Sequence, residues 1–153
     1  MMDDIPLLIV ENDPVDILLF KRALTDLNYR LPLVVKESAQ EATDHLRLST
    51  NVMPWLIFLD LNLPKDSGLI FLEQLKSATP FKWIPVIVVT SSENPDDILK
   101  AALKGCCGYL LKAYEFSDFK KSVGAALEYW SRCLTPARTT PINWSSDLNQ
   151  GDK

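Results

Sequence analysis

The chain has 153 residues, 47% apolar and 24% charged, an ordinary globular mixture long enough for one domain with a proper core. Sixteen basic residues against 20 acidic ones give a formal net charge of −4, which argues against broad nucleic-acid binding, since that needs a positive surface to displace counterions. No apolar run approaches the roughly 20 residues of a membrane-spanning helix, and the acidic start, Met1-Met2-Asp3-Asp4, is unlike a signal peptide.

In chain order, the first expected strand is Leu7–Val10, and Glu11-Asn12-Asp13-Pro14-Val15-Asp16 follows it. Asp13 is placed as the cap of the first helix, Pro14 at its first position, and Asp16 where an acid favours the helix dipole. Leu18, Ala23, Leu24 and Leu27 are expected to share that helix's buried face. A second strand, Leu33–Val35, precedes the capping box Ser38-Ala39-Gln40-Glu41. The second helix carries the only histidine, His45, read as part of a solvated face.

The third strand, Leu56–Leu59, ends in Asp60 and runs into Leu61-Asn62-Leu63-Pro64. The fourth, Val86–Val89, ends in Thr90, Ser91 and Ser92, and Asn94-Pro95 repeats the helix start of Asp13-Pro14. Cys106 and Cys107 fall in a small-residue loop and are read as packing. With Cys133 they form no disulfide framework, so a reducing cytoplasm is the expected location. The fifth strand, Tyr109–Leu111, ends in Lys112. Phe116, Phe119, Val123, Leu127 and Trp130 mark the buried face of the last helix. Residues 1–132 are thus expected to form the domain. Residues 133–153, rich in Ser, Thr, Asn and Pro, form an expected flexible tail, with Trp144 its one substantial apolar residue.

Nearly unbroken apolar strands alternating with helices imply an α/β fold, a parallel sheet covered on both faces. In such sheets ligands bind beyond the carboxyl ends of the strands. There the sequence gathers Glu11, Asn12, Asp60, Thr90 and Lys112. Hard oxygen donors suit Mg²⁺, and a carboxylate can act as a nucleophile toward phosphorus. Asp60 is the candidate acceptor, with Lys112 and Thr90 beside the transferred group.

These residues resemble the receiver domain of bacterial two-component response regulators. Asp60-Leu61-Asn62-Leu63-Pro64 with Gly68 is similar to that family's phosphoacceptor loop, and Val88-Val89-Thr90-Ser91 to its switch strand. Gly105, Gly108-Tyr109 and Lys112 have the family spacing, and the likeness covers about residues 5–131. The resemblance implies a flavodoxin-like (βα)₅ doubly wound sheet of strand order 2-1-3-4-5. It implies Mg²⁺-dependent phosphorylation of Asp60 by a histidine kinase, with Glu11, Asn12, Asp60 and the Asn62 backbone carbonyl around the metal. Thr90 and Tyr109 would be the switch residues, and helix 4, strand 5 and helix 5 would form the responding surface and a possible homodimer face. The sequence is most similar to stand-alone regulators paired with phytochromes, so a phytochrome-type kinase is the expected partner and the downstream protein is undetermined. No enzymatic turnover of another substrate is expected.

Two departures stand out. The family usually places an acid where Asn12 stands, so one negative charge is missing near the metal. It usually places proline where Ala113 follows Lys112. Other readings of the residues stay open: Thr90 as a β-former, Tyr109 as a core aromatic, and Ser91 and Ser92 as plain loop residues. Two other functions also stand beside the first. One is a pseudo-receiver that binds proteins without phosphorylation. The other is an aspartyl-nucleophile phosphatase, which Glu11 and Asp13 match in spacing but not in nucleophile.

Overall fold

The computed structural model describes residues 4–48, 50–78 and 80–139, without the side chains of residues 66, 137 and 139. Its apolar runs form β1 (Leu7–Val10), β2 (Leu33–Lys36), β3 (Leu56–Leu59), β4 (Val86–Thr90) and β5 (Gly108–Leu111). All neighbours pair in parallel, in the order β2-β1-β3-β4-β5. Between them run α1 (Pro14–Asp26), α2 (Ala39–Arg47), α3 (Ser67–Ser77) and α4 (Pro95–Leu103), and α5 (Phe116–Arg132) follows β5. Short 3-10 turns occupy Pro64–Asp66 and Phe81–Trp83, and a last turn of helix, α6, spans Pro136–Thr139. The expected doubly wound topology is therefore observed.

Strand side chains alternate between faces, so each central strand feeds two cores. Leu8, Val10, Ile57 and Leu59 point toward α2, α3 and α4, where they meet Leu46, Phe71 and Leu72. Leu7, Ile9, Leu56 and Phe58 point toward α1 and α5, where they meet Phe20, Leu24, Phe119 and Val123. Strands β1, β3 and β4 are buried along their whole length. Each large apolar side chain so buried contributes roughly 1.5–3 kcal/mol. That is why four-residue strands suffice.

Helix α1 corrects one expectation. It buries Phe20, Ala23 and Leu24, a spacing of three and four. Leu18 is 66% exposed. Five residues separate Leu18 from Ala23, which carries it about 140° around the helix. Phe119, on the expected buried face of the last helix, does turn inward, edge-on to Phe20 at 5.0 Å.

Helix ends follow local chemistry. Asp13 Oδ1 accepts Val15 N at 2.8 Å and Asp16 N at 3.4 Å. Ser38 Oγ accepts Glu41 N, and Glu41 reaches back to Glu37 N, both at 3.0 Å. Asn28 (φ 56°) and Gly105 (φ 99°) take the left-handed conformation just past α1 and α4. That lets Tyr29 N reach Leu24 O and Cys106 N reach Ala101 O.

Within the stretch assigned to the tail, Arg138 donates to Trp130 O at 3.1 Å and Ser131 O at 2.6 Å. Its guanidinium also lies over the Trp55 ring, 5.3 Å from the centroid. Trp144 lies outside the described residues.

Candidate functional site

Strand order reverses between β1 and β3, because β2 lies on one side of β1 and β4 lies beyond β3. Backbone bonds keep the strand ends level there. Val10 pairs with Leu59, and Asp60 N donates to Val10 O at 3.0 Å. Glu11 and Asp60 therefore leave their strands side by side. On the other flank Thr90 pairs with Leu111, and Lys112 N donates to Thr90 O at 2.8 Å. Register thus assembles residues distant in sequence.

Lys112 is the centre of the site. Its Nζ lies 2.7 Å from Asp16 Oδ2, 2.9 Å from Glu11 Oε2 and 3.0 Å from Asp60 Oδ2. Glu11, Asp60 and Thr90 are buried. Asp60 is also fixed from its own loop, since Asn62 N donates to its Oδ1 at 3.0 Å. Glu11 Oε1 accepts Asp13 N at 3.1 Å. Its Oε2 is buried and lacks a well-directed hydrogen bond, although the ammonium is near.

The electrostatics follow from this crowding. Burial, reinforced by the charge of Asp60, raises the Glu11 pKa to about 7 against the pull of Lys112 and the Asp13 N–H. Burial disfavours the Lys112 charge, yet bonds to Asp16 and Glu11 and the charge of Asp60 hold its pKa above the ordinary lysine range. Three carboxylates face one ammonium. The pocket thus has excess negative charge for a cation to balance.

The donor set fits Mg²⁺, which takes oxygen ligands, needs only one or two carboxylates and keeps several waters. Glu11 and Asp60 would supply the carboxylates, and Glu11 Oε2, ion-paired to Lys112 but without a well-directed hydrogen bond, could take a further partner. Among the described residues no cluster of three His, Cys, Asp or Glu side chains forms a ready metal cage. Asn12, half-buried, directly follows Glu11 in the chain and carries an amide instead of a carboxylate.

A second network starts at Asn62. Its Nδ2 donates to Thr90 Oγ1 at 3.3 Å and to Ser91 Oγ at 3.2 Å. Ser92 N donates to the same Thr90 oxygen at 3.4 Å. The Tyr109 hydroxyl donates to Ser92 O at 2.9 Å, while its half-buried ring packs on the core facing α3 and α4. Ser92 Oγ donates to Asp97 Oδ2 at 2.6 Å, and Asn94 caps α4. A continuous chain of bonds therefore joins the Asp60 loop to Tyr109 and α4.

The site residues read from sequence come together at one rim: Glu11, Asn12, Asp60, Asn62, Thr90 and Lys112, with Tyr109 behind them and Asp13 at the helix cap. Two contributions escaped the sequence. Asp16 binds Lys112, a contact across 96 positions. The Asn62 side chain, rather than its carbonyl alone, grips Thr90. For Asp16 a signal existed, because the first turn of α1 starts at the rim. For the Asn62 amide none did. His45 on α2 is half-buried, and its ring meets Asn51 Nδ2 at 3.1 Å. Cys106 is half-buried against the core facing α3 and α4, in keeping with packing, whereas Cys107 is exposed, its Sγ donating to Val86 O at 3.2 Å.

Known proteins share this family pattern and fold. Residues 7–124 match the response regulator receiver domain family. The probable methanogenesis regulatory protein FilR2 of Methanothrix harundinacea is 33% identical over 131 residues, 84% of each chain. The crystal structure of the phosphorylated cyanobacterial phytochrome response regulator RcpA superposes with a TM-score of 0.80 at 30% identity, covering 87% of this chain and 99% of that one. The Mn²⁺-bound response regulator Rcp1 of Synechocystis gives 0.76 at 30% identity, covering 85% and 96%. The chain belongs to the response regulator receiver domain family.

Proposed function

We propose that this receiver takes a phosphoryl group from a histidine kinase onto the Asp60 carboxylate and signals by a change of surface. The observation that carries the reading is the Asp60–Lys112 pair at the strand-order reversal, with Glu11 and Thr90 buried around it. An Asp60 oxygen attacks phosphorus, the phosphorus–nitrogen bond to the kinase histidine breaks, and the imidazole keeps the electron pair and takes up a proton. Lys112 offers its ammonium to the incoming phosphoryl oxygens, and Thr90 offers its hydroxyl. Glu11, Asn12, Asp60 and the Asn62 carbonyl are the residues that would hold Mg²⁺. When bound, Mg²⁺ would neutralise charge on the phosphoryl group.

The readout follows from the second network. When Thr90 turns toward the phosphoryl group it must release Asn62 and Ser92 N. Ser92 also holds the Tyr109 hydroxyl and Asp97, so Tyr109 and α4 respond together. The face they border exposes Leu99, Leu103 and Leu111, fit for a protein partner or a second copy. RcpA is described as a phytochrome response regulator, which supports a phytochrome-type kinase as the input. The protein acts as a phosphoacceptor and not as a turnover enzyme, in the cytoplasm with its kinase.

The test is intact mass after incubation with a small phosphoryl donor and Mg²⁺. One phosphoryl group should be gained, and Asp60→Asn should abolish the gain. No gain from either the donor or the cognate kinase would favour a phosphorylation-independent binding module.

A further inference from the structure

The shortest contact of Lys112 is with neither of the acids at the carboxyl ends of β1 and β3. It is with Asp16, at 2.7 Å, in the first turn of α1. An acid at that position favours the helix dipole wherever it points. Here it turns to a lysine whose side chain is only 16% exposed, and it is itself 27% exposed. Asp13 caps the same turn and fixes the backbone from which Asp16 projects.

An ammonium has three N–H donors, and three carboxylates surround this one. Two of them have other work under the phosphoacceptor reading. Asp60 ceases to be a free carboxylate once it is phosphorylated, and Glu11 faces the cation. Asp16 alone can hold Lys112 before and after transfer. The chain also has alanine after Lys112, so no proline ring stiffens that backbone. A bond from α1 supplies the restraint from elsewhere.

We propose that Asp16 is a positioning residue that holds the Lys112 ammonium in place for the phosphoryl group. The inference rests on Asp60 being the phosphoacceptor. Its consequence is specific. Loss of Asp16 should weaken recognition of a phosphoryl-shaped ligand while leaving the cation site nearly intact.

Beryllofluoride, which mimics a phosphoryl group on a carboxylate, provides an equilibrium readout. Calorimetry at saturating Mg²⁺ should show Asp16→Asn weakening beryllofluoride binding about tenfold, as expected for a lost charge-assisted bond. Asp16→Ser, which keeps a helix-starting side chain without charge, should give the same loss, and Asp16→Glu should restore binding. Mg²⁺ affinity without beryllofluoride should change less than about threefold. In a Lys112→Gln background, Asp16→Asn should have no further effect. Wild-type affinity in Asp16→Asn would overturn the proposal. So would an equal loss of Mg²⁺ affinity, which would mean that Asp16 acts by its charge on the cation. An additive effect in the Lys112→Gln background would also overturn it. If the wild-type protein itself fails to bind beryllofluoride with Mg²⁺, the phosphoacceptor reading falls and this inference with it, an outcome the wild type alone reveals.

Discussion

Glu11 Oε2 lies 2.9 Å from Lys112 Nζ, yet it is a buried oxygen without a well-directed hydrogen bond. Burial leaves Glu11 poorly solvated as an anion, and even with Lys112 beside it the pKa is raised to about 7. Stability in the metal-free protein must then depend on pH. Between its ordinary value of 4.5 and about 7, Glu11 holds a proton in the folded state that the unfolded chain has released. The folded state binds more protons, so stability falls as pH rises through this window and levels off above it. The total fall is on the order of 3 kcal/mol. Urea denaturation of the metal-free protein from pH 5 to 8 should show it, and Glu11→Gln should flatten the curve.

Among the described residues, Lys112 is the one cation that faces Glu11, Asp16 and Asp60 together. Lys112→Met should destabilise the metal-free protein by about 3 kcal/mol at pH 8, because buried carboxylates lose their partner. The loss should shrink at pH 6, where Glu11 can take a proton instead. Melting curves at the two pH values measure the difference. An equal loss at both would mean that Lys112 stabilises by packing its stem.

Asn12→Asp should tighten Mg²⁺ binding at least tenfold, since it adds a formal charge beside Glu11 and Asp60. The same change should lower the melting temperature of the metal-free protein, because another acid joins a pocket already short of positive charge. Calorimetry and thermal denaturation with and without Mg²⁺ check the two halves. Unchanged affinity would show that the amide costs the site nothing.

Gly68 sits where α3 meets the Asp60 loop. A Cβ there would stand 2.8 Å from Leu61 Cα and 2.9 Å from Asp60 O, both backbone atoms. Gly68→Ala should therefore destabilise by about 1–3 kcal/mol. Phosphorylation should slow as well, since the displaced backbone carries Asp60. Melting and labelling rates read the two effects.

Much of this was legible in the sequence for physical reasons. Strands buried on both faces leave unbroken runs such as Leu7–Val10 and Leu56–Leu59, and Asp13-Pro14 and Asn94-Pro95 mark helix starts by chemistry local to a few residues. Glu11, Asp60, Thr90 and Lys112 were legible because a parallel sheet brings its strand ends to one rim. Helix phase was harder. Leu18 fits an apolar periodicity loosely, and only packing of Phe20 against Phe58 and Phe119 decides which face turns in. That same phase carries Asp16 to Lys112. The contacts of Arg138 with Trp55 and the end of α5 depend on how a short segment folds back, for which the sequence has no period or cap to read.

The most direct test of the central claim locates the phosphoryl group itself. Borohydride reduces an aspartyl phosphate to homoserine, and peptide mass mapping then reports its position. After incubation with Mg²⁺ and a small phosphoryl donor, reduction should place homoserine at the position of Asp60 and nowhere else, with no product when Mg²⁺ is chelated. Homoserine at another acid, or none while a control receiver is labelled, would contradict the account.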